Sequence, residues 1–207
     1  MIIRKAYNIW ADQYDTNQNK TRDLDKKVTE EVLKKHRFSN VIELGCGTGK
    51  NTEFLLTKAQ SVIGIDFSEE MLAKAKTKFE NSNVVFQRSD LTIDWNLPNA
   101  SADLITCSLV LEHIEDLTFV FKQAFQKLKD GGLFFVSELH PFKQYAGSKA
   151  RFETKNGTHE LETYVHHISD FLNAAKDSEF QLKKINEWFD ESNSSKLPRL
   201  ISFVFRK

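Results

Sequence analysis

Val41-Ile42-Glu43-Leu44-Gly45-Cys46-Gly47-Thr48-Gly49 is the stretch of sequence that decides the fold of this chain. An apolar strand with an acid near its end gives way to a loop in which glycines occupy alternate positions. Glycine lets the backbone approach a ligand closely and adopt positive φ angles, where a side chain would clash. A second apolar run, 61–65, ends at Asp66, where a carboxylate is suited to bind ribose hydroxyls. Together they predict that a nucleoside-containing cofactor binds at the carboxyl ends of a parallel sheet.

The glycine spacing distinguishes between classes of cofactor. The dinucleotide fingerprint is G-x-G-x-x-G, whose last glycine lets helix and strand pack closely over a pyrophosphate. Here Gly49 comes one residue early, and Lys50 occupies the dinucleotide position. The chain is also too short for the separate substrate domain of a dehydrogenase. Both observations argue against a nicotinamide cofactor.

Apolar runs alternate with helical patterns, as expected of a parallel sheet that helices cover on both faces. The pattern predicts a doubly wound, Rossmann-like α/β fold. We expect Gly131-Gly132, which follows basic residues, to end the predicted helix 116–129. The predicted helices are 23–36, 50–59, 68–80, 116–129 and 167–177. The predicted strands are 40–44, 61–65, 83–87, 102–107, 132–138, 179–190 and 200–205.

Residues 141–166 interrupt this alternation. Asn156-Gly157 lies between two short extended runs, and this dipeptide is a strong hairpin signal. We predict a hairpin insertion after the fifth strand that caps the mouth of the pocket. Length and composition favour a single domain over residues 1–207.

The amino-terminal segment has an aromatic face. Tyr7, Trp10 and Tyr14 are separated by three- and four-residue steps, so one helical face presents their rings together. We interpret residues 1–35 as a helical lid over the cofactor. Packing of the same rings on the core is the alternative.

The composition narrows the choice of partners. Lys and Arg number 29, as do Asp and Glu, so the formal net charge is zero. Nucleic acids and anionic membranes are bound through clustered positive charge, so neither is expected as the main partner. The chain begins without the apolar core of a signal peptide and contains no run long enough to span a bilayer, so we expect a cytoplasmic protein. Cys46 and Cys107 are too few and too far apart for a metal site, and no metal is expected.

Five motifs, in the right order, resemble those of the class I S-adenosylmethionine-dependent methyltransferases. Residues 41–49 are similar to that family's E-x-G-x-G-x-G motif, and 62–68 to its second motif. Residues 87–91 resemble the family's adenine-side segment. Residues 102–107 with 111–114 resemble its fourth strand and the following loop, and residues 131–136 resemble the turn into its fifth strand.

Residues 7–15 add a resemblance to one subgroup. They are similar to the A-x-x-Y-D opening of small-molecule methyltransferases, such as those of quinone and biotin biosynthesis. The family resemblance implies S-adenosylmethionine as cofactor and a seven-stranded sheet whose last strand is antiparallel.

The resemblance also implies which residues bind the cofactor. Asp66 would hold the ribose, and Glu43 would orient the methionine ammonium group. The glycine loop leaves room for the ligand, and amides at the following helix start would meet the methionine carboxylate. Phe67 and Met71 would wall the adenine, although ordinary core packing is an alternative for both. The remaining expected contacts are Tyr14 near the methionine end, Gly45, Cys46, Gly47 and Gly49 in the loop, Asp90 and Leu91 at the adenine edge, and the Ser108 carbonyl at the ammonium.

Catalysis is less well defined by the sequence. In-line transfer from a sulfonium depends on alignment and desolvation, and an acceptor hydroxyl or acidic carbon must also lose a proton. Histidine is the usual base near neutral pH. The candidates are His140, favoured because it lies at the carboxyl end of the fifth strand, then His113, and His166 or His167 beside the hairpin.

The expected reaction is methyl transfer to a small molecule, at an oxygen or an acidic carbon. The loop 108–112 reads Ser-Leu-Val-Leu-Glu rather than the Asn-Pro-Pro-Tyr type of base-modifying amino methyltransferases, which argues against methylation of a flipped base. An RNA or protein methyltransferase, or a protein that binds S-adenosylmethionine without turnover, are the alternatives.

Overall fold

The computed structural model describes residues 3–148, 151–154, 157–190 and 197–207. Its main feature is a sheet of seven strands in the order β3-β2-β1-β4-β5-β9-β8. The strands are β1 (Phe38–Leu44), β2 (Ala59–Asp66), β3 (Val84–Arg88), β4 (Ala102–Ser108), β5 (Leu128–Leu139), β8 (Gln181–Trp188) and β9 (Leu200–Arg206), with β6 (Arg151–Thr154) and β7 (Gly157–Glu160) forming a separate hairpin.

Strands β1 to β5 pair in parallel, whereas β9 is antiparallel to both of its neighbours. The predicted fold class and the antiparallel last strand are therefore confirmed. The order reverses between β1 and β4, and in a doubly wound sheet the crevice at such a switch point binds the ligand.

Helices cover both faces of the sheet. They are α1 (Ile3–Trp10), α2 (Lys20–Leu33), α3 (Thr52–Leu56), α4 (Glu69–Lys78), α5 (Leu117–Lys127), α6 (Pro141–Tyr145) and α7 (Ile168–Asp177). Local sequence fixes where three of them begin, because a short polar side chain accepts a bond from an otherwise unpaired amide of the first turn. The three caps are Asn19 for α2, Ser68 for α4 and Asp116 for α5.

The core has two apolar layers, one on each face of the sheet. One layer, beneath α5 and α7, is rich in phenylalanine, and Phe121, Phe134 and Phe205 lie in mutual ring contact. The other layer packs Val28 and Leu33 of α2 against Val41 and Leu104. Burial on both faces explains why the strands read as nearly continuous apolar runs.

The amino terminus and the hairpin meet at one place. Ala6 and Trp10 of α1 pack in one cluster with Met71 of α4 and with Leu161, which follows β7. Strands β6 and β7 form the predicted hairpin, although Asn156 lies outside the described residues. The lid at 1–35, the cap at 141–166 and the single domain over 1–207 stay predictions.

Several element boundaries differ from the predictions, most clearly at the predicted end of the helix 116–129. Gly131-Gly132 does not end a helix: α5 ends at Lys127, and β5 already begins at Leu128. Gly131 has a φ of +78°, and the pairing of β5 with β4 shifts register in this region. In the part of the chain that the structure describes, no helix is both long and apolar enough to cross a membrane.

Candidate active site

A cleft of about 720 Å³ opens at the carboxyl ends of β1, β2 and β4, and we call it the main cleft. It brings together most of the predicted site residues. Those that line it are Tyr14, Gly45, Gly47, Asp66, Phe67, Met71, Asp90, Leu91, Ser108 and His113.

The other predicted residues lie elsewhere. Glu43 and Cys46 line an adjoining cleft, which we call the charged cleft because Arg22, Asp25 and Lys50 also line it. Gly49 lines a separate, open depression. His140 lines none of these clefts.

Asp66 is held firmly at the end of β2. One carboxylate oxygen accepts a hydrogen bond from the Gly47 amide at 2.9 Å, and the other accepts from the Ser68 amide at 2.8 Å. The residue is 7% exposed, and burial raises the pKa of its carboxyl to about 6. The same carboxylate thus ties the glycine loop to the start of α4 and lines the main cleft.

The glycine loop approaches the loop after β4 too closely for a side chain. A Cβ on Gly45 would lie 2.2 Å from Val110 Cγ2, whereas a Cβ on Gly47 would meet nothing within 4 Å. Both glycines have positive φ angles, +62° and +54°. Gly45 is therefore required by space and by conformation, and Gly47 by conformation alone.

Alanine substitutions at Gly45 and Gly47 should separate the requirement for space from the requirement for a positive φ angle. We expect Gly45→Ala to lower the free energy of unfolding by about 3 kcal/mol or more, and Gly47→Ala by about 1 kcal/mol, since only the first adds a steric clash. Urea unfolding measures both. Adding Val110→Ala should recover part of the Gly45→Ala loss, and equal losses for the two single variants would contradict this explanation.

The charged cleft concentrates buried acids near the glycine loop. Glu43 accepts a hydrogen bond from the Thr52 hydroxyl, and burial, followed by the nearby Asp25 and Asp66, raises its pKa to about 8. Asp25 accepts from the Asn51 amide at 2.9 Å through one oxygen. Its other oxygen, Oδ1, is buried and makes no hydrogen bond of standard geometry among the described residues, although the Ser108 and Ser137 hydroxyls interact with the Asp25 carboxyl. A cationic donor such as an ammonium group would satisfy it.

Arg22 supplies positive charge to the same cleft. It is 6% exposed and donates to the side chain and carbonyl of Asn17 at 2.9 and 2.6 Å. Its guanidinium carbon lies 5.0 Å from the centre of the Tyr14 ring. Acids beside an arginine and Lys50 make the charged cleft suited to a zwitterion such as the amino-acid end of a ligand.

Tyr7 and His113 form a hydrogen-bonded pair on the wall of the main cleft. The Tyr7 hydroxyl lies 2.8 Å from His113 Nε2, and His113 Nδ1 lies 3.1 Å from the Glu162 carbonyl oxygen. A carbonyl only accepts, so the neutral ring carries its proton on Nδ1, and Nε2 accepts from Tyr7. Burial lowers the pKa of His113 and raises that of Tyr7, so both are neutral near pH 7.

Glu112 lies beside this pair. Its Oε1 is 4.0 Å from His113 Nε2, and its buried Oε2 lacks a hydrogen-bond partner within the described ranges. Burial raises the pKa of the Glu112 carboxyl to about 7. A proton arriving at His113 would therefore have a carboxylate close by to balance its charge.

His140, which the sequence favoured as the base, is fully engaged in the structure. Its Nδ1 accepts from the Phe142 amide at 3.1 Å, which caps α6, and its Nε2 therefore carries the proton that Glu187 accepts at 3.0 Å. No ring lone pair is left for an acceptor. His166 is also engaged, with Nε2 near the carbonyls of Leu111 and Ile114.

Glu138 fixes the loop that carries Val110 and His113. One of its carboxyl oxygens accepts from the amides of Val110 and Leu111 at 3.0 and 2.9 Å. The residue is 2% exposed, and burial raises its pKa to about 8, so the group is mainly neutral at pH 7. Glu138 is thus a positioning residue for the loop after β4.

Substitutions of Glu138 should show how much its hydrogen bonds to the loop after β4 stabilise the protein. Glu138→Ala is expected to lower the free energy of unfolding by about 2–4 kcal/mol, because two amides lose their acceptor. Glu138→Gln keeps an acceptor oxygen and a neutral side chain, so its loss should stay below about 1 kcal/mol. Urea unfolding at neutral pH compares the two variants. The explanation fails if Glu138→Gln and Glu138→Ala lower the free energy of unfolding equally.

Cys46 is poorly suited to act as a nucleophile. Its thiol is 5% exposed, and burial raises its pKa well above the usual value.

Over residues 3–148, 151–154, 157–190 and 197–207, no group of three His, Cys, Asp or Glu side chains is arranged to hold a metal ion.

Several residues that line the clefts were missed in the sequence. Arg22 and Asp25 lie on α2, far from the glycine motif in sequence, and the spacing of Tyr7 predicts only an aromatic face. Asn51, two residues after Gly49, is a missed residue close to the glycine motif in sequence. The unpredicted lining residues of the main cleft are Ile3, Tyr7, Ser89, Thr92, Leu109, Val110 and Ile114.

Comparison with known proteins places this chain in a family. The sequence profile of a family described as "Methyltransferase domain" matches residues 42–136. A malonyl-[acyl-carrier protein] O-methyltransferase from Bacillus anthracis is 30% identical over 199 residues, which span 82% of this chain and 72% of that protein. A ubiquinone biosynthesis O-methyltransferase from Coxiella burnetii is 31% identical over 135 residues, 61% of this chain and 57% of that protein. The chain spans only about half the length of several such relatives, as the 57% coverage of the Coxiella protein illustrates.

A solved structure agrees with the fold. An S-adenosylmethionine-dependent methyltransferase from Clostridium acetobutylicum superposes with a TM-score of 0.73 at 20% identity, over 100% of this chain and 99% of that one. With the matched profile, the Bacillus relative and the cleft at the switch point of the sheet, the conclusion is that this chain belongs to the class I S-adenosylmethionine-dependent methyltransferases.

Proposed function

We propose that this protein methylates a small molecule at an oxygen or acidic carbon, and that the Tyr7–His113 pair accepts the proton which the acceptor loses. The observation that carries the proposal is the 2.8 Å hydrogen bond from the Tyr7 hydroxyl to His113 Nε2 on the wall of the main cleft. The relatives named above are called O-methyltransferases, which favours oxygen as the acceptor atom.

The proposed cofactor site uses both clefts. S-adenosylmethionine supplies an electrophilic methyl group on its sulfonium when bound. Asp66 would accept hydrogen bonds from the ribose hydroxyls, Glu43 with Asp25 would balance the methionine ammonium, and the glycine-loop amides would meet its carboxylate. Phe67, Met71 and Leu91, with Asp90 nearby, would hold the adenine, and the Ser108 carbonyl and Tyr14 would lie at the methionine end.

The proton transfer follows from the hydrogen-bond directions. As the acceptor oxygen gains the methyl group, its proton passes to Tyr7 Oη, and the Tyr7 proton passes to His113 Nε2. The resulting imidazolium keeps its Nδ1–H bond to the Glu162 carbonyl, and Glu112 lies close enough to stabilise its charge. The step is balanced: the acceptor oxygen exchanges its proton for the methyl group, one proton ends on His113 Nε2, S-adenosylhomocysteine is the leaving product, and no oxidant or metal is needed.

The pH dependence of cofactor binding should report on Asp66. Ionised Asp66 accepts hydrogen bonds from the ribose, and protonation removes acceptor capacity. Its pKa of about 6 in the free protein predicts that the affinity for S-adenosylhomocysteine falls as the pH drops from about 7 to 5. Equilibrium dialysis across this range should show the fall in the unmodified protein and little of it in Asp66→Asn. Equal affinity of the unmodified protein at both ends of the range would contradict the assignment.

Label transfer tests the proposed reaction. The protein is incubated with methyl-labelled S-adenosylmethionine and, separately, with a panel of small hydroxy and carboxylic acids, with total RNA and with a protein extract. We expect label in the small-molecule panel. Label only in RNA or protein, or tight cofactor binding without transfer to any acceptor, would overturn the proposal.

A further inference from the structure

A second, strongly polar cleft adjoins the main cleft. We call it the arginine cleft, because Arg22, Arg151 and Arg199 line it; its volume is about 890 Å³. It shares Tyr7, Tyr14 and Leu109 with the main cleft, so the two are continuous at the proposed proton acceptor. A molecule in the arginine cleft would therefore contact Tyr7, whose hydroxyl bonds His113 on the wall of the main cleft.

The charge of the arginine cleft is unbalanced. Three guanidinium groups line it against one carboxyl, that of Glu112, among the residues described. Asp190 binds Arg199 through both carboxylate oxygens, so this arginine is held in place and largely neutralised. Asp23 Oδ1, 3.6 Å from Arg22 Nε, offsets part of the charge of Arg22, so the excess positive charge comes mainly from Arg151.

Both of these arginines retain donors for a ligand. The Nε of Arg22 is buried without a hydrogen-bond partner among the described residues, although Asp23 Oδ1 lies 3.6 Å away. Arg151, on β6, is exposed and lies opposite Glu160 in the β6–β7 pair. A buried donor without a partner carries a free-energy penalty that an anionic ligand would remove.

We propose that the arginine cleft is the acceptor site and that it recognises an acid group on the acceptor, a carboxylate, phosphonate or phosphate, through Arg151 and Arg22. This inference rests on the proposed function. The acid group lies at the arginine end of the cleft, and the reacting atom of the acceptor lies at Tyr7. Asn19, Thr21 and Ser148, which also line the cleft, supply further polar contacts.

Arg151 is the residue that tests this assignment most cleanly. Arg22 also lines the charged cleft, so its loss would disturb the cofactor as well. Arg151 lies on an exposed hairpin strand and lines the arginine cleft without lining the main or the charged cleft. Arg37→Gln is the matched control, since Arg37 is exposed and precedes β1 at the opposite end of the sheet.

The experiment is a calorimetric titration of the complex with S-adenosylhomocysteine, at constant ionic strength. The probes are malonate and methylphosphonate, each compared with its neutral dimethyl ester. We expect at least one anion to bind, its ester not to bind, and Arg151→Gln to weaken the anion about tenfold or more, with Arg151→Lys intermediate. Binding of malonate alone assigns a carboxylate acceptor, and binding of methylphosphonate alone assigns a phosphonate or phosphate acceptor.

The possible failures are distinguishable. If S-adenosylhomocysteine binds but neither anion does, the acceptor class is wrong and the proposed methyl transfer stands. The acceptor class is also wrong if the neutral esters bind as well as the anions, or if Arg37→Gln weakens the anions as much as Arg151→Gln. If S-adenosylhomocysteine itself does not bind, the proposed function fails, and this inference fails with it.

Discussion

Replacing His113 with alanine is expected to lower kcat by about 10²–10⁴-fold, because the Tyr7 hydroxyl loses the base that receives its proton. Tyr7→Phe should cause a loss of the same order, since it removes the hydroxyl but keeps the ring contacts with Trp10 and Phe67. The double variant should be no slower than the slower single variant, because the two residues act as one unit. Steady-state kinetics with an acceptor found by label transfer measure all three.

Two further readouts separate catalysis from a structural effect. The unmodified enzyme should gain activity with rising pH through a pKa below the usual histidine value, since burial lowers the pKa of His113, and His113→Ala should lack this limb. Affinity for S-adenosylhomocysteine should change by less than about threefold. His140→Gln is the matched histidine control, because His140 caps α6 and binds Glu187 away from the clefts. If His140→Gln slows the reaction as much as His113→Ala, the assignment of the base is wrong.

Replacing Asp66 with asparagine is expected to weaken S-adenosylhomocysteine binding by about 100-fold or more. Two charge-assisted hydrogen bonds to the ribose would be lost, at about 1.5–3 kcal/mol each. Equilibrium dialysis with labelled ligand measures the change.

Asp103→Asn provides a matched control for this substitution. Asp103 also accepts from two backbone amides, those of Ser39 and Asn40, but it lies at the amino end of β4. Its variant should bind S-adenosylhomocysteine as the unmodified protein does. Equal losses in the two variants would mean that Asp66 acts through the stability of the fold and does not contact the ligand.

The fold and the proposed cofactor end of the site were predictable because their signals are local. A glycine loop directly after a buried strand, and an acid at the end of the next strand, fix where Gly45 and Asp66 lie once the strands are parallel neighbours. Most of the predicted cofactor residues accordingly line the main cleft.

The rest of the charged cleft and the proposed acceptor end were not predictable, because their residues come together only through tertiary packing. Arg22 and Asp25 lie on a helix whose sequence does not reveal which residues face the cleft. His140 was expected to face the crevice from the end of β5, but Pro141 begins a new helix there, and the imidazole caps it instead. A capping role and a catalytic role use the same lone pair, and the capping role prevails in the structure.

Calorimetric titration of the unmodified protein with S-adenosylhomocysteine and, separately, with NADH tests the central claim most directly. The glycine spacing, Asp66 and the charged cleft together predict micromolar binding of S-adenosylhomocysteine and no binding of NADH. Binding of NADH in the absence of S-adenosylhomocysteine binding would contradict the account.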